Sequence, residues 1–332
     1  MAVRLLFVGD VMLGRLLNEK LKTAPPRYPW GDTLPLFRSA DARICNLECV
    51  LADSGSPWQP KTFNFRSDAK NVRSLQAAGI DCVSLANNHT LDYGYDALYE
   101  MLEILKRAEI NYAGAGNSLQ EAMRPAAFRV GSLHIGLLSF TDNEARWEAA
   151  PYRPGLFYAP VDLEDARARK LLDIAAHVRA RVDLLVVAAH WGPNWGYRPQ
   201  PEHVPFAHAL VEAGADIIFG HSCHVFQGIE WYQSGVILYS CGDFVDDYRV
   251  HEVERNDQSF IFVIEIENGQ VARLKLHPTI ITRFQAQLAR GAEAEDIARK
   301  MQALCQEFGT QAIWREDKGY LEIPRTITAV AL

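Results

Sequence analysis

The chain has 332 residues, of which 48% are hydrophobic and 23% charged, and a formal net charge of -7. That length admits one large domain or two and buries a sizeable core without staples. The acidic balance argues against nucleic-acid binding, and no stretch approaches the ~20 apolar residues of a membrane span, so a soluble protein is expected. Arg4 to Val8 reads as a buried strand with Asp10 at its tip, followed by a helix beginning within Val11 to Lys22. Prolines and Trp30 make Thr23 to Pro35 a loop. Ala42 to Asn46 is a second strand, closed by Asn46-Leu47-Glu48, and Asp53 to Pro60 is again a loop. Asp68 to Ala78 fits a helix stopped by Gly79. Ile80 to Leu85 is a third strand leading directly into Asn87-Asn88-His89. Tyr95 to Ala108 carries Leu98, Met101, Leu102 and Leu105 at helical spacing, and Asn111 to Ala113 is a short strand. Ala126 to Val130 and His134 to Phe140 form a hairpin across Gly131-Ser132.

In the second half, Asp162 to Arg181 is an arginine-rich helix, and Asp183 to Ala189 a buried strand ending at His190-Trp191-Gly192. Pro201 to Ala213 is a helix stopped by Gly214. Ala215 to Phe219 is a strand that delivers Gly220-His221-Ser222-Cys223-His224. Gln227 to Trp231 and Val236 to Ser240 pair as a hairpin, as do Phe260 to Glu267 and Val271 to Ile281 around Asn268-Gly269. Glu293 to Phe308 is an amphipathic, peripheral helix. The six cysteines include no CxxC pair and read as reduced thiols, which favours the cytoplasm.

Asp10, Glu48, Asn88 with His89, His190, and His221 with His224 each sit just past a strand-like run. Singly, each has a structural reading: Asp10 as a helix cap, Asn87 and Asn88 as a turn, His190 as a core histidine. Together, carboxylate, amide oxygen and imidazole suit a site for Mn, Fe or Zn, not an all-oxygen calcium cage. Cys223 and Cys241 fall near this set and suit packed thiols better than thiolate ligands.

The ordered motifs Gly9-Asp10 with Leu13 and Arg15, Asn46-Leu47-Glu48, Phe63-Asn64-Phe65-Arg66, Ala86-Asn87-Asn88-His89, His190-Trp191-Gly192, Gly220 to Gln227 and Tyr239 to Phe244 resemble those of CapA proteins. These are the capsule or poly-gamma-glutamate synthesis proteins, also called PgsA in bacilli, and are related to calcineurin-like metallophosphoesterases. The resemblance covers about residues 3–248. It implies an α/β metallophosphoesterase-like sandwich, with two mixed β-sheets packed face to face and flanking helices. Residues 1–283 would form that domain and residues 284–332 a C-terminal appendage.

The resemblance also implies a dinuclear site for divalent Mn, Fe or Zn. Glu48 would bridge, Asn88, His190 and His221 would complete one subsite, and Asp10 and His224 would form a weaker one. His89 would protonate the leaving group. Departures accompany it: Met12 stands where the superfamily has histidine, Glu48 where it has aspartate, Asp243 where many relatives show asparagine, and Asn194 where glutamate is frequent. Arg15, Arg66 and Arg198 are candidate grips for a small anionic or polyanionic substrate. Tyr93, Trp191, Trp195 and Tyr197 are candidate walls for its pocket. Hydrolysis of a phosphate ester or a gamma-glutamyl amide is the leading expectation. A non-catalytic accessory that binds an acidic polymer is its rival.

Overall fold

The computed structural model describes residues 2–325. Strand Val3–Val11 shows how the layers arise. Successive side chains point to opposite faces of a strand. Leu5 and Phe7 therefore enter one core, and Leu6 and Val8 enter another. Strand Leu184–His190 does the same: Leu184, Val186 and Ala188 face the first of those cores, while Leu185, Val187 and Ala189 face a third. A strand apolar on both faces must be covered on both faces, so these two strands belong to central positions of two sheets.

The first sheet runs in the order Ile313–Arg315, Tyr320–Pro324, Gln270–Thr282, Gln258–Glu267, Val3–Val11, Ala42–Leu47, Cys82–Ser84, Asn111–Ala113. It is parallel from Val3–Val11 to Asn111–Ala113 and antiparallel on the other side. Asp243–Val245 adds a short parallel partner to Val3–Val11. The second sheet runs Ile229–Tyr232, Gly235–Leu238, Ile217–His221, Leu184–His190, Leu133–Thr141, Ala126–Val130. Its inner strands are parallel and its two edges are antiparallel hairpins.

The two sheets pack face to face. Phe7 of the first meets Phe219 of the second with ring centroids 5.2 Å apart. Helices Val72–Ala78 and Gly94–Arg107 cover the outer face of the first sheet through Leu75, Leu98 and Leu102. Helices Ala166–Arg179 and His203–Glu212 cover the outer face of the second through Leu171, Phe206 and Leu210. The result is the expected α/β sandwich of two mixed sheets with flanking helices.

The three expected hairpins form, and the turn at Asn268-Gly269 has both residues at positive φ, 53° and 75°, as a two-residue hairpin turn demands. Some bounds move. The first helix starts only at Arg15, because Val11 stays in the sheet beside Leu47 and Val245. The arginine-rich helix starts at Ala166, where the Asp165 carboxylate accepts the Arg167 N–H at 2.7 Å. Past residue 283 the chain stays in the main fold. Gln285–Leu288, Ile313–Arg315 and Tyr320–Pro324 extend the first sheet, and helix Ala292–Gln306 sends Ile297, Met301 and Leu304 into the core between the sheets. Residues 326–332 of the expected appendage lie outside the described residues.

Candidate metal centre

The parallel strands of both sheets end at one edge, which is where such sheets gather functional side chains. Asp10 is in register with Asn46 on one side and Asp243 on the other, and His190 is in register with His221. Two glycines permit the close approach. A Cβ at Gly9 would lie 1.9 Å from the Gly242 carbonyl oxygen, and one at Gly220 would lie 2.1 Å from the Tyr239 carbonyl oxygen. Between the paired histidines, Ser222 takes φ 104°, a conformation rare for a residue with a side chain. Its N–H is directed at Asp10.

Two groups of ligand-type side chains result. Asp10, His190 and His221 place ligand atoms within 4.8 Å of one another, as do Asp10, His224 and Asp243. His190 Nδ1 lies 2.9 Å from His221 Nδ1, and His221 Nδ1 lies 3.9 Å from Asp10 Oδ1. His190 Nε2 lies 3.0 Å from the Asn88 side-chain oxygen. His224 Nδ1 lies 3.0 Å from Asp243 Oδ1. Asn46 donates to Asp10 Oδ1 at 2.8 Å and is itself held by Asn87, which donates to its oxygen at 3.0 Å.

Asp10 is thus the residue common to both groups, a position expected for Glu48. Glu48 is buried within Coulombic reach of Asp10, Asp243 and Asp246 but belongs to neither group. Four buried ligand atoms have no hydrogen-bond partner: Asp10 Oδ2, Glu48 Oε2, Asp243 Oδ2 and His221 Nε2. Unsatisfied buried polar atoms are costly and uncommon, and three of these four belong to residues of the two ligand groups, Asp10, Asp243 and His221. The donor set of carboxylate, imidazole and amide oxygen fits Mn, Fe or Zn.

Electrostatics agree with this fit. Burial pushes the Asp10 carboxyl up to about 7, against the stabilising hydrogen bond from Asn46. Burial also raises Glu48 and Asp243 well above the usual carboxylate range. The His221 imidazole is pushed down to about 3 by burial, and His190 falls well below its ordinary value through burial and the neighbouring His221. Neutral imidazole is the ligand form, and a dication reverses the penalty on the carboxylates.

His89 lies beside these groups without joining them. Its Nδ1 is 2.5 Å from Asp92 Oδ2, and the Phe65 ring stacks on it at 3.9 Å. Asp92 also accepts the Phe65 N–H at 2.6 Å and is paired with the Lys61 ammonium, which donates to the Asn88 carbonyl as well. Burial pushes His89 down to about 4, against the pull of Asp92. A cleft of about 370 Å³ opens over His89, Asn88 and His224; Arg15, Lys61, Trp195 and Arg249 also line it.

The three predicted substrate arginines separate. Arg15 lines the cleft, its guanidinium 5.5 Å from the Phe65 ring centroid and paired with Asp247 at 3.4 Å. Arg66 turns away, donating to the Ser54 carbonyl at 3.2 Å and covering the Tyr93 ring. Arg198 forms a two-pronged pair with Glu307, at 2.8 and 2.7 Å, on the exposed surface away from the cleft. Of the four aromatic candidates only Trp195 lines the cleft; Trp191 is buried against His203. Cys223 donates its thiol to the Gly196 carbonyl at 3.1 Å, and burial pushes it up to about 12, so it is a packed thiol. Met12 is buried, and its sulfur accepts the Gly14 N–H at 3.0 Å. Sequence reasoning missed Lys61, Asp92 and Arg249, all of which lie in irregular backbone. The three-residue step from His89 to Asp92 was the one local signal for the first two.

The fold is thus a two-sheet α/β sandwich with carboxylates, amides and imidazoles gathered at one strand edge as candidate metal-binding groups. The family model described as "Bacterial capsule synthesis protein PGA_cap" matches residues 4–248, and the chain belongs to that family. A Mycobacterium tuberculosis protein named "Probable polyglutamine synthesis accessory protein" is 33% identical over 326 residues, covering 93% of this chain and 85% of its own. "Capsule biosynthesis protein CapA" of Bacillus anthracis is 29% identical over 320 residues, covering 95% and 76%. Among solved structures, a hypothetical protein from Thermus thermophilus aligns with TM-score 0.49 and 15% identity, over 83% of this chain and 98% of that one. A purple acid phosphatase from yellow lupin aligns with TM-score 0.37 and 10% identity, over 87% and 53%. No helix among the described residues is long and apolar enough to cross a membrane.

Proposed function

We propose that this chain is a metal-dependent hydrolase that cleaves a phosphate ester or a gamma-glutamyl amide in capsule or poly-gamma-glutamate metabolism. The observation that carries this reading is the set of partnerless buried atoms on Asp10, Glu48, Asp243 and His221, gathered beside an open cleft. Asp10, His190, His221 and Asn88 would hold one cation, and Asp10 with His224 a second, with Glu48 close by. Divalent cations there supply Lewis acidity and an activated water.

The chain's own residues do the rest. Asp92 fixes the His89 ring through Nδ1 and leaves Nε2 to move a proton at the leaving atom. Phe65 seals one face of that ring from water. Arg15 and Arg249 draw the anionic part of a substrate into the cleft. The six free, buried cysteines support a reducing, cytoplasmic setting. A non-catalytic accessory role is the second reading, favoured by the name of the Mycobacterium tuberculosis relative.

Purified chain loaded with Mn is assayed in parallel against phosphate esters and gamma-glutamyl peptides, with metal content measured on the same samples. Turnover of one class is expected, falling by ~10²–10⁴ in His89→Ala while the metal stays bound. A metal-loaded chain that turns over neither class, yet binds poly-gamma-glutamate, establishes the accessory reading instead.

A further inference from the structure

The subsite around His224 has more to offer a cation than the motifs alone suggested. Strand Asp243–Val245 lies parallel to Val3–Val11, with Asp243 directly beside Asp10. Both residues are buried, and each keeps one oxygen with no partner. His224 reaches the same place from the turn after Ile217–His221, with Nδ1 3.0 Å from Asp243 Oδ1. The three present ligand atoms within 4.8 Å of one another. Met12 takes no part, since its sulfur is engaged by the Gly14 N–H.

Charge points the same way. Asp10, Glu48, Asp243 and Asp246 are all buried and within Coulombic reach of one another. The Lys61 ammonium offsets part of this charge at Glu48, but it is already bound to Asp92. So many carboxylates gathered out of water call for more positive charge than one dication brings.

We propose that Asp243 is a direct ligand of a second cation, completing with Asp10 and His224 a carboxylate-rich subsite distinct from the imidazole-rich one at His190 and His221. This rests on the metal-site reading above and adds a ligand residue, Asp243, to its second subsite. The subsite's two carboxylates and single imidazole make it the harder of the pair, suited to Mn. The rival role for Asp243 is to orient His224 by accepting its N–H. The two roles part in Asp243→Asn, whose side-chain oxygen still accepts that N–H but has lost its charge.

Metal-stripped chain is titrated with Mn by calorimetry and, in parallel, by electron paramagnetic resonance, which registers coupling between two nearby Mn ions. Wild type is expected to bind two Mn per chain with a coupled signal. Asp243→Asn is expected to keep the first Mn unchanged, weaken the second at least ~10-fold and lose the coupling. His224→Ala should do the same from the other side of the subsite. Circular dichroism on each variant secures the fold. Two Mn bound by Asp243→Asn within about threefold of wild type overturns direct ligation. Loss of both Mn in that variant overturns it as well, since Asp243 would then support the whole centre. A wild type that takes up one Mn removes the second subsite and leaves a mononuclear hydrolase standing. A wild type that takes up none removes both readings.

Discussion

Asp92 gives the clearest test of how the cleft is held. It is fully buried and takes three donors: the Lys61 ammonium, the Phe65 N–H and the His89 ring. In Asp92→Ala the Lys61 side chain, 10% exposed, keeps the Asn88 carbonyl as acceptor and the Trp147 ring at 4.9 Å as a neighbour, but no counter-charge within contact. Breaking a buried ion pair from one side costs about 3–5 kcal/mol. Burial already pulls the Lys61 pKa down, and Asp92 is the main force raising it again. Without Asp92 the amine sheds its proton more easily, so the loss falls near the lower figure, about 3 kcal/mol. At ~2.1 cal/mol/K of unfolding entropy per residue, the whole chain has ~0.7 kcal/mol/K, and Tm should fall by about 4 °C. Melts of wild type, Asp92→Ala, Lys61→Met and the double variant form a cycle, and a coupling of about 2 kcal/mol is expected because Lys61→Met removes the stranded charge. An Asp92→Ala protein melting within about 1 °C of wild type, or two effects that simply add, refutes the reasoning.

Three further outcomes are expected. Burial holds the Asp10 carboxyl near 7 in the folded chain, against about 3.9 when unfolded. Between those values the metal-free folded state carries a proton the unfolded state has lost, so stability should fall as pH rises from about 4 to 7. Urea unfolding of chelated protein across that range checks this, and Asp10→Asn should flatten the slope; an unchanged slope assigns it to other groups. Gly220→Ala brings a Cβ to 2.1 Å from Tyr239 O and 2.6 Å from Leu238 O, and should cost roughly 2–3 kcal/mol in chemical denaturation together with weaker Mn uptake. A variant as stable as the parent would mean the strands can move apart freely. Arg198→Ala should leave melting and turnover unchanged, whereas Arg15→Ala should raise KM several-fold at constant kcat; the reverse pattern would relocate substrate binding to the Glu307 surface.

The layers were legible because central strands such as Leu184–His190 are apolar on both faces and announce themselves as buried runs. Their tips were legible for the same reason, since each run stops abruptly at a polar residue, and the structure brings Asp10, Asn88, His190, His221 and His224 into one neighbourhood. Asp243 was harder to place. Its strand is three residues long, and it reads as the tail of a hairpin, whereas its partner lies more than two hundred residues earlier. Lys61 and Asp92 sit in irregular backbone, where no periodicity marks which way a side chain turns. Arg66 and Arg198 show the converse limit: an arginine beside a motif is claimed by whichever acceptor the fold brings nearest, here Ser54 and Glu307. The short strands Ile313–Arg315 and Tyr320–Pro324 escaped because too few residues alternate to show a period of two.

The candidate ligands are contributed by five separate segments, from Asp10 on the opening strand to Asp243 near the close of the family region, and from both sheets. No short fragment of the chain carries a chelating set of its own. A ribosome-bound nascent polypeptide would therefore have nothing with which to capture a cation until His221 had emerged and the sheets had closed. Loading is in this sense a late act of maturation, and a chain stalled or cut before that residue should leave the ion in solution, however well its first sheet has formed.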